Sequence, residues 1–245
     1  MSAALKDGVR DDGTIDPVWP MQGGYLLPIA WEHAALSAHA RAVIEAVRAC
    51  PSAHASVFLR GSTVEQPNPH KQADIDLLLL GDGTGSPWIS IDALRSFGRF
   101  VDVVAIIAQG PRSDPALHLL SQVRALLVCG TPATQEPVKL DRSLLLAHWR
   151  RYDPGGLPGE LTSAGLQRVA EVKRLVRSAG LVSTLRTGQF TRDLGTCLAW
   201  AEEEGPIGPE LRAIAATMED PRPCEVRRVQ AWLREQFFAR FAAWQ

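Results

Sequence analysis

Asp74 and Asp76 flank Ile75 at the head of an apolar run, Ile75 to Leu80, and this spacing is the clearest chemical signal in the chain. On a strand, residues i and i+2 share a face. The two carboxylates are therefore expected to project together while Ile75 turns into a core. Two carboxylates held a few ångströms apart repel each other unless a cation neutralises them. Hard oxygen ligands of this kind suit Mg²⁺, which takes one or two carboxylates plus substrate phosphates; Mn²⁺ is the alternative ion. Upstream, the β-type run Val57-Phe58-Leu59-Arg60 meets Gly61-Ser62. Gly61 lets a backbone approach a phosphate closely, and the Ser62 hydroxyl can donate a hydrogen bond to it.

These groups can meet only if the two runs lie in one sheet. Before the first run, the alanine-rich segment Trp31 to Cys50 places Leu36, Ala40, Val43 and Val47 at helical spacing and stops at Pro51. After the second, Gly81 to Pro87 reads as a turn; it is glycine-rich but lacks the Gly-Lys-Ser/Thr ending of a P-loop. Ile91 to Phe97 reads as a short helix, Phe100 to Ile107 as a strand, Asp114-Pro115 to about Arg124 as a helix, and Ala125 to Cys129 as a last strand. Alternation of this kind predicts a small α/β (α+β) domain on a mixed sheet. Beyond Glu160 the pattern is helical, with amphipathic segments around Leu166–Leu181, Leu194–Ala201, Leu211–Met218 and Val226–Trp244, and a further one at Leu140–Tyr152. The expected organisation is an extended lead-in over residues 1–29, a catalytic domain over 30–135 and a helical domain over 136–245.

Gly-Ser, a spacer from Thr63 to Ala73, then Asp-Ile-Asp resembles the signature of the DNA polymerase beta-type nucleotidyltransferase superfamily. The resemblance implies a Mg²⁺-dependent transfer of a nucleoside monophosphate from ATP, or another nucleoside triphosphate, to an acceptor hydroxyl. It also implies a third carboxylate on a later strand, and Asp102 in the run Phe100 to Ile107 is the matching position. Asp74, Asp76 and Asp102 are then the metal-ligating and catalytic acids, with Asp102 either a metal ligand or the base that takes the acceptor proton. Gly61 and Ser62 become the nucleotide-binding turn. The segment Lys173 to Ala201 is similar to the helical half of aminoglycoside adenylyltransferases, in which Thr-Gly precedes a basic residue and a helix ending in Trp-Ala. Thr187-Gly188, Arg192 and Trp200-Ala201 are the matching positions, although the spacing departs by about one residue. Arg192 inherits the nucleotide-phosphate contact. Such a likeness favours a small hydroxylated acceptor such as an aminoglycoside. The competing readings are a toxin–antitoxin-type enzyme modifying a protein or tRNA, and a catalytically silent module that keeps the fold.

Composition narrows the partners. A net charge of −1 over 245 residues gives no basic surface suited to a long polyanion, so nucleic acid is disfavoured as a partner. No apolar run approaches the ~20 residues of a membrane span, and MSAALKDGVRDDG carries no signal-peptide core; a cytoplasmic location is expected. Cys50, Cys129, Cys197 and Cys224 lie too far apart for a zinc spacing. The six histidines show none either, though His70-Lys71 falls where the rim of an active site is expected. Thr187-Gly188 has an ordinary structural use as a helix C-cap.

Overall fold

The computed structural model describes residues 8–66, 74–97, 100–107, 123–130, 136–152, 166–205, 207–217 and 223–244. The chain forms two compact units, one of Met1–Asp16 and Tyr25–Lys139, the other of Pro17–Gly24 and Leu140–Gln245. It is an α+β protein whose sheet precedes its long helices. The helix from Asp114-Pro115, the residues His70-Lys71 and the stretch 153–159 lie outside the described residues.

The first unit is built on four strands: β1 (Ala55–Arg60), β2 (Ile75–Gly81), β3 (Val101–Ile107) and β4 (Leu126–Cys129), in the order β3-β2-β1-β4. β1 runs antiparallel to β2 and β4, while β2 and β3 are parallel. Val57, Leu59, Ile75, Leu77 and Leu79 face one core, shared with Val43, Ile44 and Val47 of helix α1 (Ala38–Ala49). Phe58 and Leu78 face the other way, with Ala125, Leu80, Val104 and Leu127. Apolar partners on both faces explain why β2 reads Leu77-Leu78-Leu79-Leu80 without alternation.

The single helix expected over 31–50 is instead a 3₁₀ turn, Trp31–His33, followed by α1. Ser37 makes the break: its Oγ accepts the Ala40 N–H at 3.0 Å, capping α1 and leaving residues before it outside the helix. Ile91 to Phe97 is a 3₁₀ helix over Asp92–Ser96. A two-residue antiparallel pairing of Ser52–Ala53 with Trp88–Ile89 was not legible from periodicity. The Gly81–Pro87 turn is closed by Asp82, whose carboxylate accepts from the Thr84 N–H at 2.8 Å and the Thr84 hydroxyl at 2.7 Å. Gly81 lies five steps along the strand from Asp76, roughly 16 Å at the usual rise. This turn therefore stands at the far end of β2 from the acids.

The second unit contains α3 (Arg142–Tyr152), α4 (Leu166–Thr187), α5 (Leu194–Glu202), α6 (Ile207–Ala216) and α7 (Pro223–Ala243). α4 packs against the other four. Trp149 stacks on Phe237 with ring centroids 4.0 Å apart. Gly188, at φ +70°, ends α4 with its N–H donated to the Thr184 carbonyl at 2.8 Å, as expected of a glycine C-cap. Asp193 then caps α5, accepting the Thr196 N–H at 2.7 Å. The lead-in expected over residues 1–29 is divided. Its middle, residues 17–24, belongs to the helical unit, where Trp19 donates its N–H to the Phe190 carbonyl at 2.8 Å and sets its ring edge-on to Phe190. Among the described residues no helix is long and apolar enough to cross a membrane.

Candidate functional site

Arg60, Asp76 and Asp102 stand in one row across three strands. Arg60 on β1 is the register partner of Asp76 on β2, which is the register partner of Asp102 on β3. All three have the parity of Phe58, Leu78 and Val104, so they share one face of the sheet. The row lies where β1 ends and where the parallel strands β2 and β3 begin. At this rim the apolar face gives way to solvent: the side chains of Arg60, Asp76 and Asp102 are 15%, 28% and 60% exposed.

One nitrogen serves both acids. Arg60 Nη2 lies 3.5 Å from Asp76 Oδ1 and 3.8 Å from Asp102 Oδ2. The guanidinium thus neutralises part of the repulsion between two carboxylates held on neighbouring strands. Arg60 Nε is buried and has no hydrogen-bond partner. Arg60 is the residue that reading the motif missed. Its signal was present in the antiparallel pairing that a Gly-Ser turn followed by Asp-Ile-Asp implies, which sets the last residue of β1 opposite Asp76.

Gly61 follows Arg60 at φ +74°, ψ −160°, a conformation essentially confined to glycine. A Cβ at this position would stand 2.5 Å from Asp76 Oδ2. Glycine is therefore required twice, by backbone conformation and by the nearness of a carboxylate. The Gly61 carbonyl accepts the N–H groups of Val64 at 3.1 Å and Glu65 at 3.0 Å, opening the single turn α2 (Ser62–Glu65). Two links brace the turn. Thr63 is fully buried and donates its hydroxyl to the Asp74 carbonyl at 3.3 Å. Glu65 accepts Arg124 Nε at 2.8 Å, and Arg124 also donates to the Asp16 carbonyl at 2.9 Å.

Asp74 departs from the expected arrangement. β2 pairs from Ile75 onward, so Asp74 precedes the ladder that would hold its side chain in register, and it is exposed. Among the described residues no group of three or more His, Cys, Asp or Glu side chains is placed to hold a metal ion. The acids expected as a trio are thus a pair, Asp76 and Asp102, with Asp74 one residue outside the strand. Two carboxylates within reach of one cationic nitrogen, beside a glycine turn that leaves no room for a side chain, are the donor type of an ion that takes one or two carboxylates and completes its shell from phosphates.

Arg192 lies in the second unit, and its surroundings there are unusual. Its guanidinium carbon is 5.7 Å from the Tyr152 ring centroid, and that of Arg177 is 5.9 Å from the same ring. Arg192 Nε is buried without a hydrogen-bond partner, as are Tyr152 Oη and both ring nitrogens of His148. Burial first, then the charges of Arg192 and Arg151, lower the His148 pKa to about 3, so this imidazole is neutral at ordinary pH. Burial likewise pushes the Cys197 thiol up to about 12, which makes it inert.

No protein-family model matches the chain, and no curated protein matches it.

Proposed function

We propose that the chain is a Mg²⁺-dependent nucleotidyltransferase that moves a nucleoside monophosphate, AMP by preference, from a nucleoside triphosphate to an acceptor hydroxyl in the cytoplasm. The observation that carries this reading is the register pairing of Asp76 with Asp102 beside the glycine-specific Gly61 turn. Asp76 and Asp102 are the residues that would hold Mg²⁺, with Asp74 just before the strand that carries Asp76. Mg²⁺, when bound, neutralises the phosphate oxygens and polarises the α-phosphorus. Gly61 and Ser62 orient the triphosphate through backbone approach and the Ser62 hydroxyl. The acceptor oxygen attacks the α-phosphorus in line, the bond to the β-phosphate oxygen breaks, and pyrophosphate leaves. Asp102, the more exposed of the pair, would take the acceptor proton on the carboxylate oxygen not turned to the ion. The acceptor we infer is a small hydroxylated molecule such as an aminoglycoside.

One observation favours a second reading. The ion pairs from Arg60 give Asp76 and Asp102 a structural partner, so clustered acids are also compatible with a silent module that has kept the fold. Incubation with α-labelled nucleoside triphosphates, Mg²⁺ and candidate acceptors (aminoglycosides, tRNA, proteins) separates the two. Label is expected on a small hydroxylated acceptor, and Asp76→Asn or Asp102→Asn should lower turnover at least ~10²-fold. Near-wild-type turnover in either variant refutes the site. Label on tRNA or protein reassigns the acceptor, and no labelled product from any of them favours the silent module.

A further inference from the structure

Arg60, on the far side of Asp76 from Asp102 in the sheet, brings one nitrogen to 3.5 Å from Asp76 and 3.8 Å from Asp102. Its Nη2 is shared by both carboxylates, its side chain is largely buried, and its Nε has no acceptor that would fix the guanidinium in place. Both contacts, at 3.5 and 3.8 Å, are longer than a tight charge-assisted hydrogen bond. A loosely held cation of this kind stabilises the acid pair and can be displaced. We propose that Arg60 is a resident counter-ion that holds Asp76 and Asp102 in the nucleotide-free protein and competes with divalent metal for them. This rests on the nucleotidyltransferase reading and adds an order to it: metal enters with the nucleotide's negative charge, not ahead of it.

The charge arithmetic sets the expectation. With Arg60 in place the row carries one net negative charge; without it, two. A second cation brought within a few ångströms of the guanidinium meets direct repulsion, which a partly exposed site screens only in part. Removing the guanidinium charge should therefore tighten binding of metal alone. Incoming phosphates should have a similar effect on the intact protein, because they offer Arg60 a different anionic partner.

The test uses Mn²⁺ as the probe, with free ion counted by electron paramagnetic resonance on the full chain. Without nucleotide, Arg60→Gln should bind Mn²⁺ at least ~10-fold more tightly than wild type. Arg60→Lys, which keeps the charge, should stay within about threefold of wild type. Adding Asp102→Asn to Arg60→Gln should abolish the gain and so assign it to this pair. Arg60→Met keeps the buried stem and replaces the Gln variant should that one fail to fold. Equal Mn²⁺ affinity in wild type and the uncharged variant, or a gain that survives Asp102→Asn, overturns the proposal. The nucleotidyltransferase reading is tested in a separate arm, in which ATP should lower free Mn²⁺ further in the presence of wild type than ATP does in a protein-free control. A gain in Arg60→Gln with no effect of ATP on wild type leaves the counter-ion assignment standing and removes the nucleotide from the site.

Discussion

His148 should make the helical unit sensitive to mild acid, and the size of the effect follows from its surroundings. The imidazole is fully buried on α3, between Tyr152 at 6.1 Å and Phe190 at 5.2 Å between ring centroids, and neither nitrogen has a hydrogen-bond partner. Burial and the nearby guanidinium groups hold its pKa near 3, down from 6.5. Because the folded value is the lower one, the unfolded chain binds a proton that the folded chain refuses. Stability is therefore complete above pH 6.5 and falls as the pH drops from there towards 3. At pH 5 the ordinary imidazole is mostly protonated, and the linkage costs about 2 kcal/mol relative to neutral pH. His148→Phe removes the titrating group and keeps a ring of similar size. Urea denaturation followed by far-ultraviolet circular dichroism at pH 7.5 and pH 5 supplies the comparison. Wild type should lose about 2 kcal/mol more than the variant over this interval. An equal loss in both proteins, or a histidine ring resonance for His148 that titrates above pH 6, refutes the reasoning.

Gly61→Ala should cost more than a left-handed conformation alone. It combines a glycine-specific backbone with a Cβ placed against Asp76 Oδ2, whereas Gly188, also at positive φ, has open space around its Cβ position. Stability losses of about 3 kcal/mol for Gly61→Ala and about 1 kcal/mol for Gly188→Ala are expected by chemical denaturation; equal losses would show that Asp76 is not the obstacle. Glu204 is nearly buried and accepts Arg186 Nε at 2.8 Å, Arg240 Nη2 at 2.7 Å and the Ser183 hydroxyl at 3.1 Å. Burial alone would raise its carboxyl, but the hydrogen bonds from Arg240 and Arg186 outweigh it and hold the pKa below the usual value. Its contribution is thus present above the ordinary carboxylate pKa and lost as the pH falls through the lowered one. Glu204→Gln should lower stability by about 2 kcal/mol at pH 7 and by much less in strong acid, and an unchanged melting temperature at pH 7 would remove Glu204 as an anchor.

Local pattern carried much of the fold. The apolar runs around Val57, Leu77, Val103 and Leu127 became strands, and the 3.6-residue spacing after Leu166 became helices, because burial of one face is written into the periodicity of each segment. The Gly-Ser turn was legible for the same reason: glycine is the residue that accepts φ +74° there. Boundaries were less legible. The side chain of Ser37 moved the start of α1, a choice between capping and continuing that periodicity does not register. Trp19 gives no indication in sequence that its partner is Phe190, because that contact closes a loop of most of the chain.

The acids divide along the same line. That Asp76 turns away from Ile75 and Leu77 is a property of one strand, determined by its alternation of side chains. Which residues face Asp76 is not, because a strand's neighbours depend on sheet order and register, and those are settled by non-local packing of both sheet faces. The parallel register of β2 with β3 made Asp102 the partner of Asp76, and the antiparallel register with β1 set Arg60 on the other side of Asp76. The same ladder left Asp74 out, since it begins at Ile75. Sequence alone determined the residue types and the side of the strand on which they stand; tertiary structure decided that Asp76 faces Asp102 across the sheet and that one arginine nitrogen reaches both.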